Sequence, residues 1–297
     1  MKAALIGTTK IAEIHLRELI ENGCKEITII SRDKSKADKL ISKFKFYENI
    51  KFISSHIKIL KIKKFNLIDI CSNTNFHLKH LYFIPKFSGV IIVEKPIFSI
   101  TKNKKNFREN LNKIYKKHKK IFVCYPMTYF AKTVHKFLVL KKINNFRVNY
   151  HTSGKHSYNE IGLDLLPHAI SITSELFKDF DFSNENIITK KIISEKNNWS
   201  SKTAYNDIKI LYNFSQNKKR KVSRFSLHLN EKKLVRHTKK TNNIFQNYIQ
   251  FNNKMIKIDN PMKIMFKDFF ENKNKISFFN KNKNFTYFVM NKMQNLL

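Results

Sequence analysis

The chain has 297 residues, of which 42% are hydrophobic and 13% aromatic, with 58 Lys plus Arg against 22 Asp plus Glu for a formal net charge of +36. That length suits two domains; the composition is too apolar for a disordered chain, and every apolar run is too short to span a membrane. Only seven of the basic residues are Arg (17, 32, 108, 147, 220, 224 and 236), and the Lys are scattered along the whole chain beside abundant Asn, Ile and Phe. A surface built to grip phosphate favours Arg, whose planar fork takes two oxygens at once, and gathers its charge on one face. The scatter therefore reads as nucleotide bias in the source genome, with most Lys on solvated surface and no specific nucleic-acid partner. The competing polyanion-binding reading predicts affinity that falls steeply with salt. Cys24, Cys71 and Cys124 are odd in number and contain no C-x-x-C pair, which supports neither a disulfide framework nor a zinc ribbon and fits a reducing compartment. After Lys2 only five uncharged residues precede Thr8, too short a stretch for a secretory signal, so a cytoplasmic location is expected.

In chain order, residues 3–6 form a continuous apolar run closing on Gly7, and Ile11, Ile14, Leu16, Leu19 and Ile20 then recur at helical spacing until Gly23, which predicts strand, tight turn and helix. Residues 27–30 predict a second strand, closing on Ser31-Arg32-Asp33, and Ala37, Leu40 and Ile41 a second helix. Further buried strands are expected over 67–71, 90–93 and 121–125, with helices over 78–83 and near 103–118. Apolar strands alternating with helices imply a parallel sheet covered on both faces. Low-complexity stretches such as 239–243 and 272–275 read as exposed loops.

A parallel sheet binds ligands at the carboxyl ends of its strands, and amides opening the helix after the Gly7 turn suit a pyrophosphate. In Gly7-Thr8-Thr9-Lys10-Ile11-Ala12, Gly7 holds the first glycine position of the dinucleotide fingerprint, Thr9 replaces the second and Ala12 is a small residue at the third. At the end of the second strand Ser31 and Arg32 offer donors and positive charge to a 2′-phosphate, favouring NADP over NAD, while Asp33 stands one or two places late for the NAD role. The alternatives are an ordinary strand-to-helix turn at Gly7 and a plain basic turn at Ser31-Arg32.

Three stretches resemble the Gfo/Idh/MocA family of nicotinamide-dependent oxidoreductases. Residues 70–77, Ile-Cys-Ser-Asn-Thr-Asn-Phe-His, are similar to its I-x-T-P-N-x-x-H turn, with Ser72 for Thr and Asn73 for Pro; Val93-Glu94-Lys95-Pro96 carries its E-K-P signature; Asp164 and His168 reproduce its D-x-x-x-H at the head of a helix. The resemblance implies an α/β chain in two parts. An N-terminal Rossmann parallel sheet would occupy 1–121, and a C-terminal α+β domain with an open, mostly antiparallel sheet 122–297, with strands near 187–193, 208–214 and 222–229 and late helices over 265–270 and 285–297. It also implies a homo-oligomer.

The implied activity is hydride transfer between NADP or NAD and a carbinol or keto carbon of a sugar, sugar nucleotide or polyol. His168 would be the general acid/base, Asp164 one helical turn earlier its orienter, and Lys95 the charge that favours the alkoxide. Gly7, Thr8, Thr9, Lys10, Ile11, Ser31, Arg32, Ser72, Asn73, His77, Glu94 and Lys95 would bind cofactor, with Glu94 contacting it or holding Lys95. Lys95, Tyr125, Tyr158, Asp164 and His168 would meet the substrate, with Tyr129 secondary. His15 reads as a packing residue, and His151, His156, Tyr158 and Asn159 as a polar segment leading into the D-x-x-x-H helix. No catalytic metal is expected. The competing function is a non-catalytic nucleotide-binding regulator of the same fold.

Overall fold

Strands that are apolar on both faces are stable only inside a sheet covered on two sides. The computed structural model, which describes residues 1–100, 106–138, 143–154, 158–177, 190–192, 197–205, 208–217, 223–241 and 244–297, contains that sheet. Its strands are β1 (Lys2–Ile6), β2 (Glu26–Ile30), β3 (Lys51–Ser55), β4 (Leu67–Ile70), β5 (Val90–Glu94) and β6 (Ile121–Cys124), in the order β3-β2-β1-β4-β5-β6. All five pairings are parallel. Helices α1 (Lys10–Glu21), α2 (Lys34–Ser42), α3 (Thr74–Phe83) and α4 (Phe107–Lys117) follow β1, β2, β4 and β5 in the chain. Strand order reverses between β1 and β4, so the carboxyl ends of these two border the crevice where such sheets take ligands. Edge strand β3 was not expected from the sequence: its residues are half-exposed rather than continuously apolar. Residues 103–105 of the expected fourth helix lie outside the described residues.

Two compact units divide the chain, Met1–Cys124 with Met265–Met290, and Tyr125–Ile264 with Asn291–Leu297. Two late helices, α7 (Pro261–Asn272) and α8 (Ile276–Leu296), contribute to both. In the first unit Phe269 and Phe278 pack on Phe122 of β6. The Asn282 amide meanwhile accepts from the Val123 N–H at 2.8 Å and donates to its carbonyl at 3.0 Å. One side chain thus stands in for a neighbouring strand at the edge of the sheet, where exposed backbone groups would otherwise invite another chain.

The second unit holds α5 (Pro126–His135), β7 (Asn145–Ser153), α6 (Tyr158–Leu176) and strands β8 (Lys190–Ile192), β9 (Asn198–Tyr205), β10 (Ile208–Asn217), β11 (Arg224–Leu229), β12 (Lys232–Thr241), β13 (Ile244–Phe251) and β14 (Lys254–Ile258). Its sheet runs β14-β13-β12-β11-β7-β10-β9-β8. The β7–β10 pair is parallel and the others described are antiparallel. Phe146, Val148, Ile210, Tyr212, Phe214, Phe225 and Leu227 alternate inward and are buried, while Arg147, Leu211, Asn213 and Ser226 between them are more exposed, as a half-covered sheet requires. Helix α6 packs on β9 and β10, with Thr173 and Tyr212 joined through their hydroxyls at 2.9 Å.

One expected loop is corrected: Lys239 to Thr241 end β12, where Lys239 lies opposite Gln246 of β13. Strand pairing uses the backbone alone, so polar side chains there gave no sign of it; residues 242–243 of that stretch lie outside the described residues. Residues 273–275 do form the turn between α7 and α8, and of the strand expected over 187–193 only β8 is described.

Trp199, the chain's one tryptophan, is 1% exposed and stacks on Phe214 with centroids 5.0 Å apart. Its fluorescence is therefore expected to be blue-shifted and shielded from acrylamide until the second unit unfolds in urea; ready quenching of the native protein would contradict this packing.

Candidate active site

The carboxyl ends of β1, β4 and β5 meet in the first unit, and each carries one of the motifs read from the sequence. Gly7 leaves β1 at φ +136°, and a Cβ there would lie 2.8 Å from the Cys71 carbonyl oxygen. No other residue fits without moving the β4 backbone. Thr9, by contrast, has φ −81°, so a side chain is tolerated where the fingerprint has its second glycine. Thr9 is the N-cap of α1 and its side chain makes no capping hydrogen bond. The first-turn amides of Lys10 and Ile11, which a helix cannot satisfy internally, are thereby not taken up by that cap and suit an anion. On this geometry the turn fits the pyrophosphate of a dinucleotide.

At the end of β2, Ser31 accepts from the Asp33 N–H at 3.2 Å. Asp33 caps α2, accepting from both the amide and the hydroxyl of Ser35 at 3.0 and 2.7 Å; the Ser35 hydrogen bond leads the causes that hold its carboxyl below the ordinary value. The Arg32 guanidinium lies 5.0 Å from the Phe76 ring centroid, a cation–π arrangement that places positive charge beside the start of α3.

The E-K-P segment is held by two buried histidines. Expected as a packing residue, His15 is fully buried, and its ring makes a polar bridge: Nδ1 lies 2.9 Å from Asp69 Oδ2 and Nε2 2.9 Å from Glu94 Oε1. Burial opposes charge on this imidazole, yet the attraction and hydrogen bonds of the two carboxylates outweigh it and carry its pKa from 6.5 to about 10. Burial raises the Asp69 carboxyl, against the pull of His15. The second oxygen of Glu94 accepts from the Lys95 amide at 3.2 Å. On the other side His77, also fully buried, has Nδ1 3.0 Å from the Pro96 carbonyl and Nε2 2.9 Å from the Ser72 carbonyl. Burial lowers its pKa. Ser72 and Asn73 form the turn after β4, where Asn73 caps α3 by accepting from the Asn75 N–H at 3.0 Å. That capping role is open to Asn and closed to the proline it replaces.

Neither sequence spacing nor composition could pair His15 with carboxylates 54 and 79 residues away; the one available sign was two acids ending buried strands. Cys71 and Cys124 lie close by, and two sets, His15–Asp69–Cys71 and His15–Glu94–Cys124, hold their ligand atoms within 4.8 Å. Both imidazole nitrogens already sit at hydrogen-bond distance from carboxylate oxygens, and burial keeps both thiols protonated.

The second unit carries the other expected residues. Asp164 and His168 lie in the second and third turns of α6 rather than at its head, because the helix already begins at Tyr158. Both are partly exposed, and the four-residue spacing puts them on one helix face. Pro167 beside His168 donates no hydrogen bond to the Leu163 carbonyl. The His168 ring lies 6.1 Å from that of Tyr150 on β7. Tyr125 is the buried N-cap of α5, and Tyr129 lies on that helix beneath the Lys132 ammonium. The segment expected to lead into α6 is partly strand: His151 ends β7, hydrogen-bonded to Ser215, while Tyr158 and Asn159 already belong to α6 and His156 lies outside the described residues.

The chain thus has a Rossmann-type parallel α/β sheet in one unit and a mostly antiparallel sheet in the other. Residues 1–125 match the Gfo/Idh/MocA family, described as an oxidoreductase family with an NAD-binding Rossmann fold. That match spans the Gly7, Ser72 and Lys95 turns, the part of the chain in which two of the three family-like stretches lie. No curated protein sequence matches significantly. Solved structures share the fold over the full chain. The 3-ketoreductase KijD10 of Actinomadura kijaniata, in complex with TDP-benzene and NADP, is 9% identical with TM-score 0.71, covering 100% of this chain and 96% of that one. A Gfo/Idh/MocA oxidoreductase of Vibrio cholerae is 12% identical with TM-score 0.67, covering 100% and 95%. A levoglucosan dehydrogenase with NADH and levoglucosan is 12% identical with TM-score 0.66, covering 100% and 96%.

Replacing His15 by Ala leaves two buried carboxylates without their cation, and a loss of about 3–5 kcal/mol is expected in urea melts. The folded-state pKa of His15 lies above its unfolded value, so its contribution is complete below pH 6.5 and is lost as pH rises toward 10. The stability gap between wild type and His15→Ala should narrow across that window; a gap that is constant or widens would contradict the charged state.

Proposed function

We propose that the protein is an NAD(P)-dependent oxidoreductase acting on a carbinol or keto carbon of a sugar, sugar nucleotide or polyol. The observation that carries this reading is that the anion-accepting Gly7 turn, the Ser72 turn and the Lys95 segment end three adjacent strands of one sheet and are joined there by two buried histidines. Structural neighbours are described with NADP and the nucleoside diphosphate TDP-benzene, and with NADH and levoglucosan, which supports a nicotinamide cofactor beside a sugar- or nucleotide-bearing second ligand.

When bound, a nicotinamide supplies or receives the hydride. The chain's own residues supply the proton chemistry and the electrostatics. The Lys95 ammonium favours negative charge on the substrate oxygen as hydride leaves or arrives. The His168 imidazole takes the hydroxyl proton in oxidation and returns it in reduction, and Asp164 one turn away orients the ring or a neighbouring substrate hydroxyl. Tyr125 and Tyr158 are assigned to substrate contacts. Gly7, Thr8, Thr9, Lys10 and Ile11 hold the pyrophosphate, and Ser72, Asn73, His77 and Glu94 shape the neighbouring wall. NADP is preferred over NAD: Asp33, the first acid after β2, serves as a helix cap, while Ser31 and Arg32 would present a hydroxyl and a cation to a 2′-phosphate. The competing reading, a nucleotide-binding regulator, draws on the lost second glycine; retention of Lys95, Asp164 and His168 supports the enzyme instead, since a regulator needs no proton-transfer set.

Lys95→Ala and His168→Ala are each expected to lower kcat about a hundredfold or more while cofactor Kd changes by less than about threefold. The assay is a screen of sugars and sugar nucleotides followed by nicotinamide absorbance; near-normal turnover in both variants would overturn the assignment. Arg32→Ala should weaken NADPH binding about tenfold and leave NADH nearly unchanged, as read by nucleotide fluorescence titration; equal effects on both would remove the NADP preference.

A further inference from the structure

The cluster around His15 is more elaborate than packing requires. A neutral imidazole has one N–H, yet both His15 nitrogens face carboxylate oxygens, two of Asp69 at 3.0 and 2.9 Å and one of Glu94 at 2.9 Å. Only a doubly protonated ring can donate to both sides. The groups facing it are Asp69 from β4, Glu94 from β5, the thiols of Cys71 and Cys124, and the Phe266 ring of α7, edge-on at 5.0 Å. His15 itself sits on the second turn of α1, whose first turn carries the anion-accepting amides. Glu94 passes the connection to the Lys95 main-chain N–H.

We propose that His15 is a positioning residue, clasped between Asp69 and Glu94 so that Glu94 fixes where the Lys95 side chain leaves β5 relative to the phosphate-binding helix. The inference rests on Lys95 being the reaction's ammonium. It accounts for the burial of two carboxylates and a histidine at the one end of the sheet where the three motif turns gather. A clasp of three ionisable groups is rigid because each partner left unpaired would be a buried charge. Loosening it at any member should be felt at Lys95.

Three measurements on the full chain test this. With 15N-labelled histidine, the His15 ring should keep both protons at pH 8, where exposed imidazoles have lost one; a neutral ring there overturns the clasp. Metal analysis of the purified protein should find no bound zinc; one zinc per chain overturns it as well, because Cys71 and Cys124 stand close enough to make the cluster a metal centre. Lysine amidination by methyl acetimidate, followed peptide by peptide in a mass spectrometer, reads Lys95 directly. In Glu94→Gln, which keeps the side-chain shape, the Lys95 rate should shift about threefold or more while Lys2 and Lys10 stay unchanged. His15→Gln should do the same, and the double variant should add little to either, the mark of residues acting through one another. Should His15→Gln fail to fold, Glu94→Gln alone decides, and a folded Glu94→Gln protein with an unchanged Lys95 rate refutes the inference. Saturating NADPH tests the underlying reading separately. Failure to shield Lys95, with the shifts present, removes the catalytic role and leaves the clasp; shielding without the shifts removes the clasp alone.

Discussion

A charge inside a protein is tolerated only where opposite charge and hydrogen bonds replace the water it loses, and that constraint organises the first unit. His15, Asp69 and Glu94 come from α1, β4 and β5, and each needs the other two. Helix α1 and the two strands that lead into the Ser72 and Lys95 turns therefore cannot drift independently. His77 is buried between the last two turns, its ring nitrogens facing the Pro96 and Ser72 carbonyls. Gly7 closes the arrangement by letting the β1 turn lie against Cys71 with no side chain between them.

The net charge of +36 takes on a different meaning beside that cluster. Acids are scarce in this chain, yet Asp69 and Glu94 are spent in the interior. Those left at the surface, such as Glu13 with Lys43 and Glu109 with Lys113, form exposed pairs that contribute little each. Most of the excess Lys lies where water carries its cost, while one fully buried histidine and two carboxylates hold the first unit's turns together.

The parallel sheet was legible because β1, β2, β4, β5 and β6 are mostly apolar, interrupted inside the strand only by Thr28 in β2 and Asp69 in β4, a pattern few other environments produce. β3 was hidden by its place at the edge, where Lys51 and Ser55 meet solvent. Much of the second sheet was hidden by one-sided burial. In β7 the buried residues Phe146 and Val148 alternate with Arg147 and Asn149, and β12 ends in residues whose composition is that of a loop. At the candidate site, short-range motifs announced Gly7, Lys95 and His168 through their immediate neighbours. His15 announced nothing, since what gives it a role is tertiary: two strand-end carboxylates that the fold alone brings to its ring.

Everything functional here depends on the β1–α1 turn accepting a nicotinamide dinucleotide. Calorimetric titration of the full chain with NADPH and NADH, alongside a Gly7→Val protein whose added side chain would strike the Cys71 carbonyl, measures that directly. Saturable one-to-one binding by the wild type, lost in a folded Gly7→Val protein, is the result the account predicts. No uptake of either nucleotide by the wild type, or equal uptake by the variant, would contradict it.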